Sequence, residues 1–583
     1  MQRMHKKLGM ITTILTGAVL LPASAVSVET TALPGVIDKK VPEVNIPKKF
    51  DPATKEAAPA KEAPVLEDAS KEEVVATFST INVTGAKQFS AEEISLITAE
   101  YTGRPLTKFD LAELKYKLTR KFYDAGYILV RVVTPPQNLT DGVLDINVYE
   151  AKVGAVTVLN EGVLNKHVAS AITGRVEENR VFDENSIESM VSDINNLKNI
   201  RASVNLQPGK EFVTTDVTLA IEEDFEDEQR VSIDNYGSPL TGEVVATAHF
   251  EKSNLLNLGE TIYTDMRRSD GDLWSIAAGI NTPIAVSNLR LETSFLHSEN
   301  DIDDRLSALG LSGTTDSLNV ALASDILNTR NRKLTVRGGF QGRDHKSVSD
   351  ATGVDFTTSK DEIRKVFAEF ESLQRIDGGV VYASARVSTG IDAFGATNQG
   401  DALASNVFGD PDAWIVQPMI YSNLLSPFSS GNFILTASGQ ISTSELLSSE
   451  LFTLGGYGSV RGFEPAELTG ESGIQFSVEY QHPVEVHDDV DFFVAPFMDG
   501  GRVYNRRNNG RNEYADMYSV GLGLEARTDI IEAGTTVLRL DWAHTLGNYS
   551  IDQDTNGDGV VDTYAKDPTV NSDYVYFRIS QKF

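Results

Sequence analysis

The chain has 583 residues, with 83 Asp and Glu against 52 Lys and Arg, and a formal net charge of -31. This acidic balance argues against nucleic acid as a partner, because phosphate binding requires a surplus of basic side chains. The absence of cysteine excludes a disulfide framework, cysteine metal sites and thiol catalysis. A chain of this length exceeds one ordinary hydrophobic core, unless one part is a large β structure.

Residues 1–25 have the features of a secretory signal peptide. A basic head with Arg3, Lys6 and Lys7 precedes an apolar run and an Ala-Ser-Ala tripeptide that ends at Ala25. A membrane anchor is the alternative, but a spanning helix needs about 20 apolar residues, more than this run offers. The sequence therefore predicts export, with cleavage after Ala25.

Residues 26–76 differ from the rest of the chain in composition. They are rich in Pro, Ala, Lys and Glu and have no periodic apolar face. Such a segment buries too little apolar surface to fold by itself, which predicts a flexible linker.

The patterns of residues 77–151 and 152–225 predict two copies of one small α+β module. In the first copy an alternating strand precedes two helices, capped by Ser90 and Thr107, and two further strands follow. The same β-α-α-β-β order returns in the second copy, where Asp183 is predicted to cap the longer helix.

Over residues 229–583 the helical period is absent, and sixteen stretches of about ten residues alternate between apolar and polar side chains. An even number of half-polar strands predicts a transmembrane β-barrel with apolar residues outside and polar residues inside. A pair of soluble β-sandwiches is the alternative, and it requires more uniformly apolar inner faces. In the last strand Val575, Phe577 and Ile579 share one face with the terminal Phe583.

Four motifs follow one another along the chain. LFTLGGYGSVRGFEPAELTG begins at Leu451, after the eleventh predicted strand, which makes it the sixth external loop if strand one runs outward. FMDGG, residues 497–501, lies on the thirteenth strand. FYDAGYILVRVVTPPQNLTDGVLDINVYEAKVG closes the first module, and DNYGSPLTGE, at Asp234, opens the barrel. In this order and spacing they resemble the outer-membrane transporters of two-partner secretion, the haemolysin activation/secretion family of ShlB/FhaC type.

The resemblance implies a mainly β protein of the bacterial outer membrane. Its 16-stranded transmembrane barrel, surrounded by lipid, is preceded by two small α+β POTRA domains in the periplasm. The family implies transport without enzymatic activity and without nucleotide: a secreted exoprotein with an N-terminal secretion domain arrives unfolded, binds the POTRA domains and crosses to the cell surface. It also implies that Phe583 is part of the signal for the barrel assembly machinery.

In the family a loop-six arginine, matched here by Arg461, meets an aspartate of the barrel wall, matched by Asp499. The motif residues assigned by the resemblance to translocation or gating are Arg461, Asp499, Val460, Gly462, Phe463, Phe497 and Gly501. An unpaired guanidinium in a narrow lumen loses its hydration without compensation. A carboxylate opposite it can accept hydrogen bonds from two of its N–H groups.

The neighbours of this pair have expected roles of their own. Gly458 and Gly462 are expected to let the loop turn tightly, and Gly501 to leave room on the wall. Phe463 and Phe497 are expected to shield the contact. The alternative is a solvated loop arginine and an unrelated acid at the end of a strand.

A separate motif, DQDTNGDGVVD, lies between the last two strands. Asp554, Asn556, Asp558 and Asp562 have the one-three-five-nine spacing of a calcium loop. Position twelve is Ala565 rather than the bidentate glutamate, which predicts weak affinity. An acidic loop without calcium is the alternative, and no other cofactor is predicted.

Three other classes of function fit the sequence less well than secretion. No histidine or serine constellation indicates an enzyme site, and GGYGSVRG lacks the glycine spacing of a nucleotide-binding loop. A factor that inserts other barrel proteins shares the loop-six and strand-thirteen motifs, but it usually carries three or more POTRA domains, and this chain has room for two. A passive porin would leave the two predicted periplasmic modules without a function. Family members often carry an N-terminal plug helix, and the prolines across 26–76 argue against a helix of that length.

Overall fold

The structure is a computed structural model. It describes residues 71, 73–174, 176–224, 227–284, 289–329, 331–426, 430–487, 489–506, 514–529, 534–546, 550–553, 563–566 and 573–583. The predicted signal peptide at 1–25 lies outside these residues, and so does most of the predicted linker at 26–76. The first strand begins at Val74, so regular structure starts inside the segment predicted as a linker.

The first module packs two helices on a three-stranded sheet. Its elements are β1 (Val74–Thr77), β2 (Thr80–Thr84), α1 (Ala91–Thr98), β3 (Pro105–Thr107), α2 (Lys108–Asp124), β4 (Arg131–Val133) and β5 (Val143–Tyr149). The sheet order is β2-β5-β4, and β1 pairs with β3 in a separate ladder. Leu114, Leu118 and Phe122 of α2 are fully buried and form one core cluster with Leu144 and Ile146 of β5.

The second module repeats this architecture with its own core. Its elements are β6 (Lys152–Asn160), α3 (Lys166–Thr173), α4 (Glu184–Asn195), β7 (Ile200–Pro208) and β8 (Thr214–Glu223). The sheet order is β6-β8-β7, with β6 parallel to β8. Asp183 accepts a hydrogen bond of 3.1 Å from the Asn185 amide, which is the predicted cap of α4. Met190 and Ile194 of α4 are buried in one cluster with Val217 of β8.

Sixteen of the described strands close a barrel in which every neighbour is antiparallel. The strands of this part are β9 (Glu228–Asp234), β10 (Val245–Ser253), β11 (Thr261–Ser269), β12 (Trp274–Pro283), β13 (Leu289–Asp301), β14 (Leu311–Asn328), β15 (Arg332–Ser349), β16 (Phe356–Ile376), β17 (Gly379–Gly390), β18 (Ile415–Leu425), β19 (Asn432–Ser442), β20 (Phe452–Leu454), β21 (Leu468–Gly470), β22 (Ser472–His487), β23 (Val490–Tyr504), β24 (Tyr514–Thr528), β25 (Thr536–Leu546), β26 (Ser550–Gln553), β27 (Thr563–Lys566) and β28 (Asp573–Lys582). The pairs β20–β21 and β26–β27 form two small hairpins outside the ring. The ring closes where β28 pairs with β9.

Side chains of the barrel strands alternate between a polar interior and an apolar outer face. In β9, Ser232 and Asp234 are buried, whereas Val231 and Ile233 are 40 % and 50 % exposed. An apolar exterior around a polar interior suits a lipid environment and is the reverse of a soluble sandwich. The predicted fold class, a 16-stranded barrel preceded by two small α+β domains, is confirmed. Among the helices of the described residues, none has the length and apolar content to cross a bilayer.

The seam between β28 and β9 has the shortest ladder of the barrel, since only Arg578–Lys582 pair with Arg230–Asp234. Asn235 extends this ladder with its side chain. Its Nδ2 donates to the Val575 carbonyl at 2.9 Å, and its Oδ1 accepts from the Phe577 amide at 2.7 Å. The side-chain amide of Asn235 therefore takes the place of a peptide group at the shortest ladder of the ring.

We expect Asn235→Ala to lower the thermal stability of the closed barrel, because two seam hydrogen bonds are lost at a cost of about 1–3 kcal/mol. The measurement is the temperature at which the purified protein loses its heat-modifiable mobility on a gel. Asn423→Ala, which removes an asparagine of β18 far from the seam, serves as the control. An unchanged transition temperature in Asn235→Ala would contradict the role of this side chain.

A charged cap holds the start of α2 in the first module. Thr107 and Asp110 form a capping box, and the Asp110 carboxylate accepts from the Thr107 amide at 2.7 Å. The Arg104 guanidinium, 2.8 Å from Asp110, lowers the pKa of that carboxyl from its ordinary 3.8 to about 2. Because the folded state depresses this pKa, its stabilising contribution is complete above about pH 4 and is lost as the pH falls towards 2.

Asp110→Asn should therefore destabilise the first module at neutral pH, by about 1 kcal/mol on the scale of a lost cap. Its stability should also fall less steeply than that of the wild type between pH 4 and 2. Urea unfolding of a fragment spanning 73–224, followed by far-UV circular dichroism, measures both effects. The exposed Asp141 gives the matched control, Asp141→Asn, and an identical pH slope in Asp110→Asn and wild type would disprove the assignment.

Candidate functional site

Loop six, defined as residues 443–471, connects β19 to β22 and folds back into the barrel. The hairpin β20–β21 forms its stem. Beyond the stem, Val460 and Phe463 are buried with Leu454 in one apolar cluster that includes Val503 of β23 and Met517 of β24. Apolar contact with the inner wall therefore holds the loop inside the lumen.

Glycines in left-handed conformations allow the loop tip to turn. Gly455, Gly456 and Gly462 have φ values of 107°, 88° and 99°, which residues with a Cβ rarely adopt. A Cβ at Gly462 would also lie 3.0 Å from the Thr545 side chain of β25. Gly458 lies in the turn that the Ser459 amide closes by donating to the Gly456 carbonyl at 3.1 Å, although the left-handed φ values fall at Gly455 and Gly456.

Arg461 and Asp499 meet inside the barrel. The Arg461 Nε donates to Asp499 Oδ2 at 2.7 Å, and Nη2 donates to Oδ1 at 2.9 Å, which makes the pair bidentate. The Arg461 backbone amide donates to the same carboxylate at 3.2 Å. Arg461 is 6 % exposed and Asp499 is fully buried, so the pair is protected from water.

The pair belongs to a larger ion network on the inner wall. Arg461 Nη1 lies 3.0 Å from Glu479 of β22 and 3.6 Å from Asp541 of β25. Arg539 of β25 lies 3.0 Å from Glu479 and 2.6 Å from Asp541. It also reaches Glu525 of β24 at 3.2 Å. Two guanidiniums thus contact four carboxylates, and each guanidinium has more than one counter-charge.

Aromatic rings surround the loop tip. The Arg461 guanidinium lies 3.3 Å from the ring centroid of Phe497, a cation–π contact. Tyr457 stacks on Tyr236 at 3.6 Å, and the Tyr576 hydroxyl accepts from the Gly462 amide at 2.9 Å. The loop is therefore fixed by backbone and ring contacts as well as by charge.

A second anchor ties loop six to another part of the wall. Glu450, at the start of the loop, forms a salt bridge with Lys365 of β16. Arg343 of β15 lies 3.7 Å from Glu450 and donates to the Ser449 carbonyl at 3.3 Å. Because β15 and β16 are separated around the ring from β22 to β25, loop six crosses the lumen between two charged anchors.

The structure brings most of the motif residues together. A Cβ at Gly501 would lie 2.7 Å from the Leu454 side chain, so this glycine makes room for the loop stem. Phe497 shields the guanidinium, whereas Phe463 is buried in the apolar cluster of the loop. Three residues of the network, Glu479, Arg539 and Asp541, are not predicted from the sequence. Only their place in the lumen-facing rows of β22 and β25 could have indicated a role inside the barrel.

Two other predicted sites lie apart from this network. Phe583 follows β28, is 52 % exposed and donates its backbone amide to the Gln229 carbonyl at 2.9 Å. The calcium-loop positions Asp554, Asn556, Asp558 and Asp562 lie outside the described residues. Within the described part of the chain, no group of three or more His, Asp or Glu side chains is arranged to hold a metal ion.

Comparison with known proteins points to one family. The profile described as haemolysin secretion/activation protein ShlB/FhaC/HecB matches residues 214–526, and that of the ShlB-type POTRA domain matches 76–151. The heme/hemopexin transporter protein HuxB of Haemophilus influenzae is 22 % identical over 465 residues, which cover 78 % of this chain and 81 % of HuxB. The outer membrane transporter CdiB of Dickeya dadantii is 22 % identical over 458 residues, covering 77 % and 80 %. The solved structure of CdiB from Escherichia coli has a TM-score of 0.71 at 20 % identity, covers 91 % of this chain and 93 % of CdiB, and shows the shared fold.

These matches confirm the predicted function class, transport rather than catalysis, and the outer-membrane location with POTRA domains in the periplasm. The first profile spans more than half of the chain, including most of the barrel and the whole of loop six. The chain belongs to the haemolysin secretion/activation family ShlB/FhaC/HecB, the outer-membrane transporters of two-partner secretion.

Proposed function

We propose that this transporter captures an unfolded exoprotein by its N-terminal secretion domain on the POTRA domains and conducts it through the barrel, with loop six as the gate. The observation that carries the proposal is the path of loop six. The loop crosses the lumen from Glu450, at the β15–β16 wall, to Arg461, at the β22–β25 wall. A loop tied at both sides obstructs the pore at rest, and displacement of the loop opens it.

The POTRA sheets supply edges for capture. In the order β6-β8-β7 the strand β7 has a sheet neighbour on one side, and it is nine residues long. Asn195 of α4 occupies the outer edge at Ala202, where its Oδ1 accepts from the Ala202 amide at 2.8 Å. Beyond Ala202, Val204 and Leu206 follow on the same edge, and Leu206 is 38 % exposed. An extended segment of the exoprotein can add here through main-chain hydrogen bonds.

The buried ion network sets the strength of the gate. Removing one partner from a buried ion pair costs about 3–5 kcal/mol, because the other charge stays desolvated. The loop therefore stays closed until the exported chain replaces its contacts. No nucleotide is needed in this scheme, since a chain that folds outside the cell cannot slide back.

The terminal strand has a role before transport begins. Val575, Ile579 and Phe583 are each more than half exposed on the outer face of β28. This row of apolar side chains ends the chain on an aromatic residue beside the seam. We assign it to recognition by the barrel assembly machinery during insertion.

Arg461→Ala is expected to reduce export several-fold while the barrel still assembles, because the loop tip loses its anchor but the wall keeps its ladders. The measurement is the amount of exported partner, identified as the protein missing from the spent medium of a deletion strain. Arg268→Ala is the matched control, since Arg268 is an exposed arginine whose only close carboxylate contact among the described residues is Asp272, at 3.7 Å. Normal export by Arg461→Ala, with heat-modifiable barrel at wild-type levels, would remove loop six from the mechanism.

The network predicts a milder effect for Asp499→Asn than for Arg461→Ala. The asparagine side chain keeps the shape of the aspartate, and Glu479 and Asp541 remain close enough to balance the Arg461 charge. Arg461→Ala instead leaves Asp499 buried, with the Ser477 hydroxyl donating to it at 2.7 Å. Export by the two variants, measured side by side, tests this order. Equal losses would indicate an isolated pair rather than a shared network.

A further inference from the structure

The base of loop six is held by one side-chain amide. Gln440 lies on β19, shortly before loop six begins, and is 2 % exposed. Its Nε2 donates to the Glu450 carbonyl at 2.8 Å and to the Glu471 carbonyl at 3.1 Å. Residues 451–470, which we call the swing segment, lie between these two carbonyls and contain the stem and the tip of the loop. One amide group therefore holds both ends of the segment that obstructs the lumen.

A second glutamine fixes the orientation of this amide. Gln417 of β18 donates from its Nε2 to Gln440 Oε1 at 2.9 Å. The contact lies at the gap between Val416 and Met419 in the ladder of β18 with β19. Because the oxygen of the Gln440 amide is bound to Gln417, its two N–H groups are directed at the two carbonyls of loop six. The wall of the barrel, rather than the loop, therefore sets the position of this amide.

The first part of loop six is held by a neighbouring loop. We call residues 443–450 the root of loop six, and residues 391–414, between β17 and β18, the outer loop. The Ser448 amide donates to the Ser405 hydroxyl at 3.0 Å. The Ser405 amide in turn donates to the Asp361 carboxylate of β16 at 2.9 Å. The outer loop thus connects the root to the wall.

Backbone contacts with the outer loop continue along the root. The Asp410 amide donates to the Glu445 carbonyl at 2.8 Å, and Asn406 Nδ2 donates to the Leu446 carbonyl at 3.0 Å. Leu446 is also buried in one apolar cluster with Ala413 of the outer loop. Together with the ion pairs to β15 and β16, these contacts tie the root to three separate elements.

The swing segment can move as a unit. Its stem, β20–β21, has a ladder of its own. Its tip is bound to the wall through the guanidinium of Arg461, whose N–H groups can exchange a carboxylate for water or for a peptide carbonyl. A hairpin whose two ends are fixed at neighbouring points can turn about the line between them while the root keeps its contacts. The two carbonyls bound by Gln440 are such points.

We propose that Gln440 is a positioning residue for loop six: its amide marks the hinge about which the swing segment turns, while the outer loop keeps the root in place. This inference rests on the proposed function and adds the residue that sets where the gate bends. Loss of the two N–H donors leaves two buried carbonyls without these partners and loosens the base of the hairpin. The swing segment then leaves its closed position more often.

Channel recordings of the purified full-length protein in a planar lipid bilayer test the hinge. Gln440→Met removes both donors without adding charge, and Gln440→Glu removes them while keeping the shape of the side chain. Asn319→Asp is the matched control, because it makes the same amide-to-carboxylate change in the lumen on β14, which is remote from β19 around the ring. Each protein is recorded below the temperature at which it loses its heat-modifiable mobility.

We expect the fraction of time spent open to rise severalfold in both Gln440 variants and to stay at the wild-type level in Asn319→Asp. A purely structural role of Gln440 would lower the heat-transition temperature without changing this fraction. A wild-type open fraction in both Gln440 variants would overturn the assignment, and so would an equal rise in the control.

An engineered disulfide tests whether the root stays in place. The chain has no cysteine, so the double variant Ser405→Cys, Ser448→Cys can form one intramolecular bond. Export is compared after thiol labelling of the unfolded protein shows that the bond has formed. We expect equal export by the oxidised and the reduced double variant, because the root does not move. Export that is blocked by oxidation and restored by a reductant would overturn the hinge.

The failure of this inference can be told apart from failure of the proposed function. Impaired export by Arg461→Ala together with a wild-type open fraction in both Gln440 variants would keep the gate and remove the hinge. Normal export by Arg461→Ala would count against the gate, whereas the channel recordings need no exported partner and test the hinge by themselves.

Discussion

The buried guanidinium of Arg461 is the constraint on which the arrangement of the lumen depends. A cation that is taken out of water must recover its lost hydration from fixed partners. Asp499 supplies two oxygens, Glu479 a third, and the ring of Phe497 covers one face of the guanidinium. Because these partners belong to β22 and β23, the loop tip has one position in which the charge is compensated. The loop glycines, the stack of Tyr457 on Tyr236 and the apolar cluster around Val460 and Phe463 are all compatible with this one position of the loop tip.

The barrel provides the rigidity that this contact needs. Closure of sixteen strands removes the open sheet edges, so every strand of the ring has a hydrogen-bonded neighbour on both sides. Alternation along each strand places the carboxylates of Glu479, Asp499 and Asp541 on the inner surface. The junction between β28 and β9 is the shortest, and Asn235 compensates for it with its side-chain amide.

Local patterns in the sequence predict the strands, the capped helices and the lumen-facing rows, because these depend on a period of two or on a few neighbouring residues. The contact between Arg461 and Asp499 follows from the family motifs rather than from periodicity. The contacts of Arg539 and Glu450 have no such local signal, since the residues that meet across a lumen depend on strand stagger and on the path of a long loop. For the same reason the sequence does not show which loop glycines are left-handed: Gly458 lies in the turn, but the positive φ values fall at Gly455 and Gly456. The start of β1 at Val74 is not predicted, because the Pro-, Ala-, Lys- and Glu-rich composition of residues 26–76 indicates a linker throughout.

In the proposed gating scheme, the distribution of charge in the lumen couples opening of the pore to its hydration. While loop six is closed, Arg461 and Arg539 together neutralise part of a wall that carries four carboxylates. In the proposed opening, Arg461 leaves with the loop, Arg539 stays beside Glu479 and Asp541, and Glu525 keeps both Arg539 and Arg527. Carboxylates left without counter-charge require water or new donors, since an unpaired charge is costly in a dry interior. The backbone amides of an extended chain can supply such donors. Under this proposal the open state is wet and is best stabilised by the passing polypeptide itself, which favours return of the loop once the polypeptide has gone.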